Sequence, residues 1–198
     1  MTPLVLASAS PARLRLLRDA GFDPTVMVSG VDEQTVTADD PRELVDELAR
    51  RKAEAVATAL QDALVVGADS MLLLDGQTLG KPDDAADARA RWLRMRGRTG
   101  TLLTGQAVID VASGRTASGV AATTVRFGTP TDEEVDAYVA SGEPLAVAGA
   151  FTLDGRSAPF VEGIDGDAGT VIGLSLPLLR TQLAELGVRI YDLWAACP

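Results

Sequence analysis

The chain has 198 residues, of which 46% are apolar and 23% charged, and its net charge is −10. That is enough chain for one large domain, or two intimate lobes, with a full core. The acidity argues against a general nucleic-acid surface, which needs a basic stripe.

There is no histidine. Ser-His-Asp and Cys-His catalysis and every histidine metal site are therefore excluded. Chemistry has to come from carboxylates, lysines, arginines, hydroxyls, or a hard metal held by oxygen. The sole cysteine, Cys197, rules out an internal disulfide and fits a reducing cytoplasm. No apolar run approaches a membrane span, and the first residues lack a basic n-region, so they read as a strand and not as a signal peptide. The cations are sixteen arginines and two lysines, Lys52 and Lys81. A compact, flexible point charge suits a phosphate or a neighbouring base. Chance within an arginine-rich composition accounts for two lysines as well.

Leu4-Val5-Leu6-Ala7 reads as a strand, then Ser8-Ala9-Ser10-Pro11 leads into a helix to about Ala20, closed by Gly21. Ser10 suits the N-cap and Pro11 the first helical position. Leu14, Leu17 and Ala20 form its inner face. A helix start directly after a strand offers N–H groups and a positive dipole end to an anion. Ser8 and Ser10 add hydroxyls, and Arg13 in the first turn opposes the dipole unless an anion is bound. A plain capped helix with a surface arginine accounts for the same residues.

Asp23–Val28 reads as a second strand, and Asp32-Glu33 follows in a loop, as solvated acids or as ligands for a hard cation. Asp40-Pro41-Arg42-Glu43 has the capping-box pattern of a helix start. The helix runs to about Leu60, and its row Leu44, Leu48, Lys52, Val56, Leu60 puts Lys52 on the apolar stripe. Such a lysine either snorkels to the edge of the core or meets a buried anion.

Leu64–Leu74 is an apolar strand with Asp69 near its middle. An isolated buried carboxylate needs a partner, a proton or a metal. Gly67 allows close approach to the backbone on the Asp69 face. Asp75-Gly76 is a two-residue hairpin turn that pairs Leu74 with Gln77 and Ser70 with Lys81, leaving Lys81 one position from Asp69. Asp83–Met95 reads as a helix with Ala86, Ala90, Trp92 and Leu93 inward. Thr99–Val111 and Thr116–Phe127 read as long strands, and Thr131–Ala140 as a helix capped by Thr131 with Glu134. Leu145–Asp154 is rich in small residues, with Gly149 suited to a close approach. The turn Asp165-Gly166-Asp167 precedes a strand at Thr170–Ile172, and Ser175–Leu186 is the last helix.

Taken together, these motifs resemble the Maf family of nucleoside triphosphate pyrophosphatases. LASASPAR at the start, Asp32-Glu33, Lys52, GADS around Asp69, GKP around Lys81, EPLAVAGAF and IDGDAGTVIGLSLPLL carry the resemblance. It covers nearly the whole chain, 1–198, as one Maf-like domain with two lobes. It implies an α/β fold, related to that of inosine triphosphatases, with a mixed, strongly bent central sheet, flanking helices and a nucleotide cleft. The implied reaction converts a nucleoside triphosphate to the monophosphate and pyrophosphate with a divalent cation, Mg or Mn. Asp69 becomes the proton acceptor, and Ser8, Ser10, Arg13, Lys52 and Lys81 become substrate contacts. Glu33, with Asp69, would hold the metal. Ala12, Ser70 and Asp154 fall at the positions tied to base selectivity in the family. They match neither its pyrimidine-preferring pattern nor its 7-methylguanine pattern.

The expected setting is the cytoplasm, with a nucleoside triphosphate as partner, no nucleic acid or membrane, and a homodimer by family analogy. Two other functions suit the same residues. One is a non-catalytic nucleotide-binding regulator of cell division or septum formation. The other is a house-cleaning enzyme for deaminated purine triphosphates.

Overall fold

The computed structural model describes residues 2–195, so Cys197 lies outside it. Among the described residues the strands are β1 (Leu4–Leu6), β2 (Thr25–Val26), β3 (Leu64–Leu74), β4 (Gln77–Leu79), β5 (Thr99–Asp110), β6 (Arg115–Phe127) and β7 (Val161–Asp165). The helices are α1 (Pro11–Asp19), α2 (Pro41–Ala57), α3 (Ala85–Met95), α4 (Asp132–Ala140), α5 (Ala168–Ile172) and α6 (Leu176–Glu185). The fold is α/β, with a mixed seven-stranded sheet in the order β2-β1-β3-β5-β6-β7, and with β4 paired to β3. No helix among the described residues is long and apolar enough to cross a membrane. The chain divides into two compact units. The first is Met1–Asp69, Thr104–Ala121 and Gly173–Pro198, and the second is Ser70–Leu103 and Ala122–Ile172.

In the first unit β1 runs parallel to both β2 and β3. All three residues of β1 are buried, the continuous apolar pattern of a parallel strand covered on both faces. Successive side chains go to opposite faces. Leu4, Leu6, Leu64 and Val66 pack with Leu17, Leu179 and Leu183, while Val5 and Val65 pack with Ala49, Ala53 and Val56 of α2. Ser10 caps α1 by accepting from the Arg13 N–H, with Pro11 at the first position. Asp40 caps α2 by accepting from the Arg42 N–H. Leu14 and Ala20 are only half-buried beside fully buried Leu17.

In the second unit the β3–β4 hairpin pairs Leu74 with Gln77, as its turn residues require. Asp75 (φ 50°) and Gly76 (φ 78°) both take the positive φ of a type I′ turn. The expected Ser70–Lys81 rung does not form, because β4 ends at Leu79. The Gly80 carbonyl instead accepts from Arg91 Nη1 at 2.7 Å and from the Gly149 N–H at 2.9 Å, which draws the backbone out of the ladder.

The inner face of α3 is Ala88, Trp92 and Met95, whereas Ala86 and Ala90 are exposed. Trp92 sets this face. Its Nε1 donates to the Ala150 carbonyl at 2.8 Å, and its ring stands edge-on to Phe127, Tyr138 and Phe160. Burial pushes the Tyr138 phenol up to about 12. Thr131 and Glu134 form the expected capping box on α4. Thr170–Ile172 is helical, not a strand. The Asp167 carboxylate accepts from the N–H groups of Gly169 and Thr170 and from the Thr170 hydroxyl, and so caps α5.

Candidate active site

The site is built in the first unit, where α2 lies on the sheet. Val65, Gly67 and Asp69 share one face of β3 by the two-residue period of a strand. A Cβ on Gly67 would lie 2.7 Å from the Ala53 nitrogen and closer still to the Ala49 carbonyl oxygen. A Cβ on Gly105 of β5 would lie 2.6 Å from the Asp46 nitrogen and closer still to the Val45 carbonyl oxygen. Two bare strand positions therefore seat α2 backbone-close on the sheet. Lys52 leaves α2 beside Ala53, within reach of Asp69.

The Lys52 ammonium bridges two acids. Nζ is 2.6 Å from Asp69 Oδ1 and 2.6 Å from Glu33 Oε1. The side chains of Lys52 and Asp69 are 9% and 8% exposed, and that of Glu33 is 56% exposed. This is a buried ion pair with one wetter carboxylate at its edge. Asp69 Oδ2 is buried and has no hydrogen-bond partner. A buried oxygen in that state calls for a partner beyond the side chains around it.

Arg13 belongs to the same cluster. Its Nη1 donates to the buried Ser8 hydroxyl at 3.1 Å, and its Nε donates to the Gly173 carbonyl at 2.7 Å. Burial lowers its pKa from the ordinary value, and the charges of Asp69 and Glu33 act in the opposite direction. The Ser8 hydroxyl also accepts from the Ser10 N–H at 3.2 Å. The first unit thus gathers Ser8, Ser10, Arg13, Glu33, Lys52 and Asp69 through these bonds and charges.

The remaining candidates are placed differently. Ala12 is half-buried in the first turn of α1, in the first unit. Ser70, Lys81 and Asp154 belong to the second unit. Ser70 is half-buried on β3, Lys81 is exposed in the bend after β4, and Asp154 is exposed in a bend after Phe151.

Whether the acids suit a divalent cation can be judged from their atoms. Among the described residues, no group of three or more histidine, cysteine, aspartate and glutamate side chains gathers as a metal cluster. Two carboxylates, one with an orphaned buried oxygen, fit a cation such as Mg, which takes one or two carboxylates and fills its shell with water and phosphate oxygens.

Two further contributors are not among the site residues read from the sequence. Gly105 is a strand-interior glycine, a recognised sign of close approach. The Gly173 carbonyl that holds Arg13 is a backbone group, and no side chain announces it.

The fold is α/β, and its buried centre joins an ammonium to two carboxylates beside a capped helix start. Comparison with known proteins goes further. The family model described as Maf-like protein matches residues 3–186. A protein of Streptomyces coelicolor named nucleoside triphosphate pyrophosphatase is 65% identical, over 98% of this chain and 98% of the relative. Proteins with the same name from Streptomyces avermitilis and Salinispora tropica are 65% and 58% identical, over 96% and 97% of this chain and 94% and 87% of theirs. The chain belongs to the Maf-like protein family.

Proposed function

We propose that this protein is a nucleoside triphosphate pyrophosphatase with Asp69 as its general base. The relatives' names support the activity. The observation that carries the mechanism is the divided state of Asp69, with one oxygen on Lys52 and the other buried without a partner.

In this reading Asp69 Oδ2 takes a proton from a water whose oxygen attacks the α-phosphorus. The bond from that phosphorus to the bridging oxygen breaks, and pyrophosphate leaves with the electron pair. Lys52 offsets the negative charge that builds up on the phosphate oxygens, and Arg13 holds the phosphates equally in the ground and transition states. Ser8 and Ser10 are further substrate contacts in this proposal, beside the start of α1 that carries Arg13. Glu33 and Asp69 would hold a divalent cation, whose chemistry is charge neutralisation on the phosphates. By motif alone Lys81 would be a further substrate cation, and Ala12, Ser70 and Asp154 would take part in base selection. The support for these four is the motif resemblance. A cytoplasmic setting agrees with the single cysteine.

The experiment is a panel of canonical and modified nucleoside triphosphates incubated with the enzyme and Mg or Mn. The expected products are monophosphate and pyrophosphate in equal amounts, lost on chelation of the metal. Diphosphate with inorganic phosphate would contradict the bond assignment. Tight nucleotide binding by calorimetry with no turnover would favour the regulator instead, although a pure binder has no need of Asp69.

A further inference from the structure

We propose that Gln106 is a positioning residue for Arg13, acting through the turn at Gly173–Ser175. The inference rests on the reading of Arg13 as a substrate cation. Gln106, Gln182 and Ser175 are 0%, 1% and 2% exposed. Gln106 Oε1 accepts from the Ser175 N–H at 3.0 Å, and its Nε2 donates to Gln182 Oε1 at 2.8 Å. Gln182 Nε2 returns to the Gln106 carbonyl at 2.7 Å. Backbone groups fix both amide orientations. The Ser175 N–H can only donate and the Gln106 carbonyl can only accept, so neither side chain can flip without losing a bond.

This pair does more than cap α6. The Ser175 hydroxyl already accepts from the Leu178 N–H, and the Ser175 carbonyl from the Leu179 N–H. What the amide pair adds is a fixed Ser175 nitrogen two residues from Gly173. Gly173 has φ +121°, a conformation that other residues rarely adopt. A Cβ there would lie 3.1 Å from Arg13 Nε, so the turn is seated against the guanidinium. The Gly173 carbonyl then takes the Arg13 Nε–H, leaving Nη1 for Ser8. An apolar residue at 106 could fill the same volume. It would leave a buried N–H unpaired and the turn free to shift.

The test is a double-mutant cycle on KM for the preferred triphosphate, using Gln106→Met, Arg13→Ala and the double variant, with kcat and Tm measured for each. Gln106→Met should raise KM about tenfold with kcat nearly unchanged, the signature of lost binding shared by the ground and transition states. In the Arg13→Ala background the same change should move KM by less than about twofold. Gln106→Glu, protonated in the buried site, can accept from Ser175 and donate to Gln182, and should restore KM. A lower Tm with unchanged KM would reduce Gln106 to a structural role and overturn the inference. So would an equal KM effect in both backgrounds. If Arg13→Ala itself leaves KM unchanged, the substrate-cation reading fails and the inference falls with it. Should Gln106→Met not fold, Gln182→Met removes the partner that fixes the Gln106 amide, and the same cycle and criteria apply.

Discussion

Lys52 takes its importance from where its stem lies. The stem runs through an apolar stripe, and the ammonium ends between one buried and one wetter carboxylate. A buried ion pair adds little net stability, because desolvation offsets attraction. Removing one partner leaves the other charge uncompensated, at a cost of about 3–5 kcal/mol. Lys52→Met should therefore lower the unfolding free energy by about that amount in chemical denaturation. The double variant with Asp69→Asn should recover much of the loss. An additive result would mean that the pair is not coupled. Lys52 and Asp69 were both legible in the sequence, one as a cation on an apolar row and one as an acid in an apolar strand. Glu33 reads in the sequence as a solvated acid or a cation ligand, and its contact with Lys52 is not legible there because the path of its segment depends on tertiary contacts.

At the scale of elements, α2 brings the pair together, and two glycines decide how close it comes. Gly67→Ala would force a methyl against the α2 backbone at Ala49 and Ala53. The expected result is a loss of about 1–3 kcal/mol, the usual range for overpacking, measured by denaturant titration. Activity should fall with it, as Lys52 moves away from Asp69. Unchanged stability and activity would show that the helix does not rely on this contact.

Helix starts were the most legible elements, because Ser10, Asp40 and Thr131 act locally through their own oxygens. Thr170–Ile172 was misread as a strand from its β-branched residues, where the Asp167 side chain imposes a helical turn. The Ser70–Lys81 pairing failed for a non-local reason, since Arg91 and Gly149 claim the Gly80 carbonyl. Gly105 and the Gly173 carbonyl act on distant segments, so neither effect was readable from neighbouring residues.

For the molecule as a whole, a net charge of −10 repels a polyanionic substrate. Local composition answers this, because Lys52 and Arg13 balance Asp69 and Glu33, and a bound divalent cation would make the cluster positive where the phosphates meet it. The family match covers residues 3–186, which includes every residue assigned to the site. The central claim is that Asp69 is the base of a pyrophosphatase reaction. It is tested most directly by the rate of pyrophosphate release from Asp69→Asn beside the wild type at saturating triphosphate and metal. Asparagine keeps an acceptor for Lys52 and Glu33 keeps an opposite charge beside it, so the variant should fold. The rate should fall by about 10²–10⁴-fold; a folded Asp69→Asn enzyme at the wild-type rate would remove Asp69 from the role of base.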